Sequence, residues 1–404
     1  MENSISSIEL LLLIIFGLVF GLTYLLLLRI RRITLKFDLY DTPDHRSSHV
    51  DIVPTFGGVA FFICLILGLF FLEPFDLDSI TMSLLVSLTV IFFIGITDDF
   101  KNLSPKVKFL GQVFSVGLIL SHTEFQIHSL HGFMGINELG TIPSYLLSGF
   151  LFIGFINAFN LIDGIDGNAS IVGIVISVTM GLIFYELDML FYLAICVVLV
   201  STLFAFLRFN FSNRNKIFMG DTGSLVIGLV LGALTIRLLS LGFEPFSRIS
   251  ITRAEIPLLL LGILIIPALD ISRVIFIRIM RKKSIFSPDR NHIHHVLIDA
   301  GLSHIQTSIL VGMINAVIIG LSYYSLKYFD LIYAVLFFNF LIVVLVLSFF
   351  ILNRSIANRR TKVYLRRMLF KVNNFFSKPK GKKSYQQHRI AFNHKLKRIG
   401  ILFF

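Results

Sequence analysis

Between two long apolar runs the chain reads Asn157-Ala-Phe-Asn-Leu-Ile-Asp-Gly-Ile-Asp-Gly-Asn-Ala169. Two carboxylates, Asp163 and Asp166, stand there with three side-chain amides and two glycines. A charge near hydrocarbon costs several kcal/mol unless it is paired or wetted, so intramembrane carboxylates mark a functional site by default. The glycines let the backbone turn and a ligand come close.

Four further polar clusters carry chemistry. Asp98-Asp99 close the apolar run Leu84–Thr97, at a helix C-terminus whose dipole disfavours anions. A cation must compensate them, and Lys101, Lys106, Lys108 or a divalent ion are the candidates. Gly220-Asp-Thr-Gly-Ser224 precedes the run Leu225–Leu234. These residues suit an N-cap, and equally an anion and metal site with Asp221 on Mg²⁺ and backbone N–H groups on phosphate. Mg²⁺ keeps waters and substrate phosphates, so one or two protein oxygens suffice, and Asn160 and Asp221 supply them. Asp289-Arg-Asn-His-Ile-His-His295 follows Arg281-Lys-Lys283. Its histidines read as solvated, as zinc ligands, or with Arg290 as a pyrophosphate site, since a guanidinium fork matches paired phosphate oxygens. Asp41, Arg46 and His49 precede Pro54-Thr-Phe-Gly-Gly58, where the glycines fit close helix packing or close ligand approach. Phe218 suits packing or stacking on a planar base.

The elements that position these clusters are membrane helices. Of 404 residues 55% are hydrophobic and 15% charged, against about 25% charged in soluble domains. The expected fold is an all-α polytopic integral membrane protein with eleven spans near 8–28, 56–72, 80–97, 109–121, 144–160, 168–185, 189–207, 222–240, 255–279, 304–326 and 329–353. Alternate loops carry most of the Lys and Arg, with 15 in the tail after residue 353. This charge bias sets the N-terminus outside and the C-terminus in the cytoplasm. Residues 1–353 then form a transmembrane domain, and 354–404 a basic cytoplasmic tail with an amphipathic stretch at Val363–Val372. Every polar cluster falls in a cytoplasmic loop or at its edge.

The net charge of +12 would suit nucleic acid, but no acidic residue follows Asp330, so the basic tail reads as contact with anionic lipid. Cys64 and Cys196 lie in apolar runs and form no disulfide framework. The N-terminus lacks a basic n-region and a cleavage site, so no removable signal peptide is expected.

Taken together, the clusters from Asp41 to Gly301 resemble the polyprenyl-phosphate N-acetylhexosamine-1-phosphate transferase family in order and spacing. They are most similar to its bacterial branch that starts surface-polysaccharide and teichoic-acid assembly with UDP-GlcNAc. The resemblance implies an eleven-span fold in the bacterial cytoplasmic membrane, an active site on the cytoplasmic face, and a homodimer. Its partners are UDP-N-acetylhexosamine and a polyprenyl phosphate, with Mg²⁺ as cofactor and Mn²⁺ as its substitute. By motif, Asp98, Asp99 and Asp221 match catalytic positions, and Lys108 the lysine at the lipid phosphate. Asn160 and Asp221 match Mg²⁺ ligands. Asp163 and Asp166 fall where nucleoside and sugar are held, with Phe218 by the uracil. Arg290, His292, His294 and His295 match the pyrophosphate and histidine positions. Asp41, Arg46, His49 and Asn210 are weaker matches. Asn168 stands where Leu is usual, and Ser212–Lys216 is longer by one residue than the family pattern, which weakens the match at Asn210.

The implied reaction is attack of the lipid phosphate on the β-phosphorus of the UDP-sugar, releasing UMP. With a second pKa near ~6 the acceptor phosphate is already mostly dianionic, which lessens the need for Asp98 as a base. The phospho-MurNAc-pentapeptide branch carries three consecutive histidines, unlike this chain. An intramembrane aspartyl protease leaves the basic groups unexplained and needs Gly where Phe218 stands. A transporter of polyprenyl lipid or cations favours polar groups at the midplane over clusters at one face.

Overall fold

The computed structural model describes residues 7–39, 53–72, 78–242, 251–280, 282 and 292–376. Asp41, Arg46, His49 and Arg290 lie outside the described residues, as do the side chains of Val363–Val372. The helices are α1 (Ser7–Lys36), α2 (Gly57–Leu72), α3 (Asp78–Lys101), α4 (Pro105–Ile119), α5 (Thr141–Ile162), α6 (Asn168–Glu186) and α7 (Leu190–Asn210). They continue as α8 (Gly220–Ser240), α9 (Ile256–Ile263), α10 (Ile265–Met280), α11 (Ile293–Asp299), α12 (His304–Tyr328) and α13 (Leu331–Phe376). Among the described residues there is no strand, and one isolated bridge, Ser129–Glu138, orders the α4–α5 connection. The chain is an all-α, multi-pass membrane protein. It divides into two compact units, Met1–Val346 and Leu347–Phe404, where the onset of the basic tail predicts a boundary after residue 353. The site lies in the first.

Eight of the described helices are long and apolar enough to cross a membrane, and the α9–α10 pair, bent by 69°, brings the number to nine. The eleven predicted spans are therefore not all matched. The other two correspond to α2 and α4, of 16 and 15 residues. At 1.5 Å per residue these reach only ~24 and ~22 Å, short of a ~30 Å hydrocarbon core. Pro267 accounts for the bend. It has no N–H for the carbonyl four residues back, at Ile263, where α9 stops.

The centre of the first unit is α8, with 94% of its apolar window buried. Its glycines let neighbours touch its backbone, the mode by which small residues pack membrane helices. A Cβ on Gly228 would lie 2.7 Å from Ile156 Cα on α5, and one on Gly95 of α3 2.5 Å from Thr222 Cα. The Pro54–Gly58 segment pairs with the entry to α8 through Phe218 N–H to Pro54 O at 2.8 Å, Gly57 N–H to Phe218 O at 3.0 Å and Gly58 N–H to Met219 O at 2.9 Å. Of the two roles open to the glycine pair, packing is the one seen here. A methyl group at Gly58 would overlap the backbone of Gly223. Gly58→Ala is expected to cost about 3 kcal/mol, the upper end of ordinary overpacking, because neither backbone can yield. Thermal unfolding in detergent measures it, with Gly17→Ala, which meets nothing within 4 Å, as the neutral control.

Candidate active site

Asp98 and Asp99 are sequence neighbours with separate tasks. Successive side chains diverge by about 100° around a helix, so the two carboxylates leave α3 on different faces. Asp99 turns to α8. Its oxygens accept from Asp221 N–H at 2.7 Å, Thr222 N–H at 3.1 Å and the Thr222 hydroxyl at 2.5 Å. The positive end of α8 thus compensates a carboxylate that the negative end of α3 disfavours. Gly220, at φ +72°, makes the turn possible, and a Cβ there would run into Asp99 and Thr55.

Asp98 turns to α4. One oxygen accepts from Leu103 N–H at 2.6 Å and closes the α3–α4 corner. The other meets Lys108 Nζ at 2.8 Å. Among the cations the sequence offered, Lys108 is the one that arrives. Its ammonium also lies 2.8 Å from Asp221 Oδ1 and donates to Asn160 Oδ1 at 3.4 Å. The Asn160 amide donates in turn to Asp221 Oδ1 and, at 3.0 Å, to Ser224 Oγ. Three helices, α3, α5 and α8, thereby deliver oxygens around one cation carried by α4.

From this point an apolar groove of about 750 Å³ runs between α4, α5 and α10. Asp98, Lys108 and Asn160 line its polar end, and Phe109, Phe150, Phe155 and Ile271 part of its walls. One turn beyond Lys108, Gln112 and Asn157 satisfy each other, the Asn157 amide donating to Gln112 Oε1 at 2.8 Å.

The Asp163–Gly167 turn between α5 and α6 flanks the centre. Asp163 is half-buried. Burial, then the Asp221, Asp99 and Asp166 carboxylates, push its own carboxyl well above the usual range. Asp166 behaves oppositely. Burial works to raise it, but His304 Nδ1 at 3.0 Å and Lys216 Nζ at 2.7 Å outweigh that and hold it below the ordinary value. Asn210 is a buried clamp, accepting from Gly167 N–H at 2.6 Å and donating to Ile217 O at 3.0 Å. Asn168 donates to Ile162 O at 2.9 Å, tying the start of α6 to the end of α5. Phe218 is half-exposed, with Lys216 Nζ 5.3 Å from its ring centre.

The histidines close the site. A Cβ on Gly164 would collide with the His294 ring, so α11 sits directly on the Asp163–Gly167 turn. Burial first, then His295 beside it, pushes the His294 imidazole down to about 3, leaving it neutral. Among the described residues neither of its ring nitrogens has a hydrogen-bond partner, a cost of about 1–3 kcal/mol for each buried polar group. His292 stacks on it at 5.4 Å between centroids and 6° between planes, and His295 lies 4.4 Å from His294. Two residues outside the predicted set join them. His304, the first residue of α12, grips Asp166, and Asp270 of α10 holds His292 Nδ1 at 2.8 Å. Asp270 had a signal, being the one acidic residue between Ile256 and Met280. His304 had almost none, since Ser303 and Gln306 around it read as an ordinary capping box.

Every predicted site residue among those described thus gathers at one end of the bundle. Among the described residues no three His, Cys, Asp or Glu side chains converge as a metal cage. The donors that do converge, Asp221, Asp98 and Asn160, are hard oxygens already gathered around a cation, which fits Mg²⁺ held partly by substrate phosphates.

Membrane helices that close a lysine–carboxylate centre over the head of an apolar groove define a multi-pass membrane protein with a polar site at one end of its bundle. The chain belongs to glycosyl transferase family 4, whose model matches residues 81–239. It is 32% identical over 299 residues to a probable undecaprenyl-phosphate N-acetylglucosaminyl 1-phosphate transferase of Bacillus subtilis (strain 168), covering 74% of this chain and 80% of that one. The decaprenyl-phosphate N-acetylglucosaminephosphotransferase of Mycobacterium leprae is 31% identical over 292 residues, 67% of this chain and 72% of its own. The undecaprenyl-phosphate alpha-N-acetylglucosaminyl 1-phosphate transferase of Escherichia coli (strain K12) is 29% identical over 308 residues, 74% and 80% of the two chains.

Proposed function

We propose that the protein transfers N-acetylglucosamine-1-phosphate from UDP-N-acetylglucosamine to a polyprenyl phosphate, giving a polyprenyl-diphosphate sugar and UMP. The observation that carries this reading is the groove of about 750 Å³ with Lys108 at its polar end. An apolar channel headed by an ammonium suits a lipid with one terminal phosphate. The family membership and the names of the relatives support the same reaction.

In this reaction an oxygen of the lipid phosphate attacks the β-phosphorus of the nucleotide sugar, and the bond to the bridging α–β oxygen breaks. That oxygen leaves with UMP. Lys108 holds the attacking phosphate and offsets its charge, and the groove aligns its tail. Asp99 fixes the start of α8 and with it Asp221. Asp163, Asp166 and Phe218 hold the nucleoside and sugar, and Arg290 and the histidines hold the diphosphate. Asp221 and Asn160 would hold Mg²⁺, with Asp98 beside them. When bound, that ion neutralises charge on the diphosphate oxygens, the main electrostatic need of phosphoryl transfer. The finer topology belongs to this proposal: eleven spans from the hydropathy runs, the short α2 and α4 among them, with the N-terminus outside and this end of the bundle in the cytoplasm by the bias of the loop charges, in a bacterial membrane by likeness to the bacterial relatives.

The test is UMP release by purified protein given UDP-N-acetylglucosamine, Mg²⁺ and undecaprenyl phosphate. UMP is expected to form in step with a lipid-linked sugar and to stop on chelation. Release of UDP instead, or UMP without added lipid, would refute the reading. A panel of other UDP-hexosamines in the same assay fixes the sugar.

A further inference from the structure

Asp270 is an acidic side chain in an apolar helix, 1% exposed, and no step above uses it. A carboxylate is kept at such a position only when something specific holds it. It accepts two hydrogen bonds from a single segment, His292 Nδ1 at 2.8 Å on one oxygen and Ile293 N–H at 2.8 Å on the other. His292 is 5% exposed, stacked on His294 at 5.4 Å and tilted against His295 at 6.2 Å.

We propose that Asp270 is the positioning residue for His292, holding it as the Nδ1–H form so that Nε2 faces the diphosphate of the nucleotide sugar; this rests on the function proposed above. The chemistry follows from the ring. A carboxylate accepts and never donates when ionised, so the nitrogen it contacts must carry the proton. Nε2, on the far edge of the imidazole, is then the nitrogen left to a ligand. An imidazole protonated on both nitrogens donates from Nδ1 to Asp270 and from Nε2 to an anionic oxygen. A carboxylate behind a functional histidine orients metal-bound imidazoles in the same manner, and loss of such a partner typically lowers activity by about 10–100-fold. The second bond gives the arrangement its rigidity. By taking Ile293 N–H as well, Asp270 fixes both ring and backbone of the segment that also carries His294 and His295. The bend at Pro267 sets α10 at 69° to α9, placing Asp270 on the limb that lines the groove.

A double-mutant cycle between Asp270→Asn and His292→Gln tests this, read as kcat and as KM for each substrate. An asparagine can still accept from Ile293 N–H, but its amide can present a donor to Nδ1 and so permit the wrong tautomer. In the native background Asp270→Asn is expected to lower kcat/KM for the nucleotide sugar by about 10–100-fold, with KM for the lipid unchanged. In the His292→Gln background the same change is expected to cost less than about twofold, because the two residues act as one unit. Equal losses in both backgrounds, or none in either, would overturn the proposal, since a purely structural carboxylate does not depend on His292. Should Asp270→Asn fail to accumulate in the membrane, Asp270→Glu, which keeps the charge and shifts it, runs the same cycle with the same criteria. Native protein that releases no UMP would instead refute the function; native activity with additive variants refutes only the role of Asp270.

Discussion

Asp221→Asn is expected to abolish transfer, by about a thousandfold or more, while leaving a folded protein. Asp221 Oδ1 is the atom on which Lys108 Nζ and the Asn160 amide converge, the ammonium at 2.8 Å. Removing one preorganised electrostatic contact at a reacting oxygen costs about 10²–10³ in rate. Asp221 stands to lose two roles together, charge pairing with Lys108 and the proposed hold on Mg²⁺. Folding should survive, because α8 is capped by Asp99 through the backbone N–H groups of residues 221 and 222, which the substitution leaves in place. UMP release per mole of protein, beside an unchanged elution volume in detergent, is the measurement. Native turnover by this variant would remove Asp221 from the site.

Lys108→Met is expected to fail differently, losing stability as well as activity. Its side chain is only 15% exposed, and the ammonium lies 2.8 Å from each of two carboxylates. Without it, Asp98 and Asp221 face each other uncompensated, and removing one partner of a buried pair costs about 3–5 kcal/mol. Adding Asp98→Asn should restore part of that stability by deleting one of the two unpaired charges and their mutual repulsion. Activity should stay down by two or more orders of magnitude, since the ammonium proposed to hold the lipid phosphate is gone. Thermal midpoints and turnover of the single and double variants separate the two effects. If the double variant recovered both, Lys108 would be a structural counter-ion and no more.

How much of this was legible beforehand depended on the contrast between a residue and its surroundings. Asn160, Asp163, Asp166 and Asp221 stood out because polar groups interrupt hydrocarbon only for a reason. Asp270 met the same criterion, yet it lay inside a 25-residue apolar stretch read as one span, and the length of the run hid the exception. Asp98 and Asp99 were visible as a pair, but adjacency in sequence suggests a shared task. The helix sends them to opposite neighbours, and only tertiary structure shows that Asp99 caps α8. The number of spans was harder still. The run near 109–121 was visibly short, but a hydropathy window sums composition, and the bend that Pro267 puts in α9–α10 leaves composition unchanged.

The dimensions of the groove bear on what the protein can measure. A volume of about 750 Å³ lies within the ~300–1,000 Å³ usual for small-molecule pockets. On the proposed function, a cavity of that size would accommodate the isoprene units next to the phosphate and leave the remainder of a long prenyl tail among the surrounding acyl chains. Selection would then act on the head and first units of the acceptor, and the protein would be largely indifferent to how long its tail has grown.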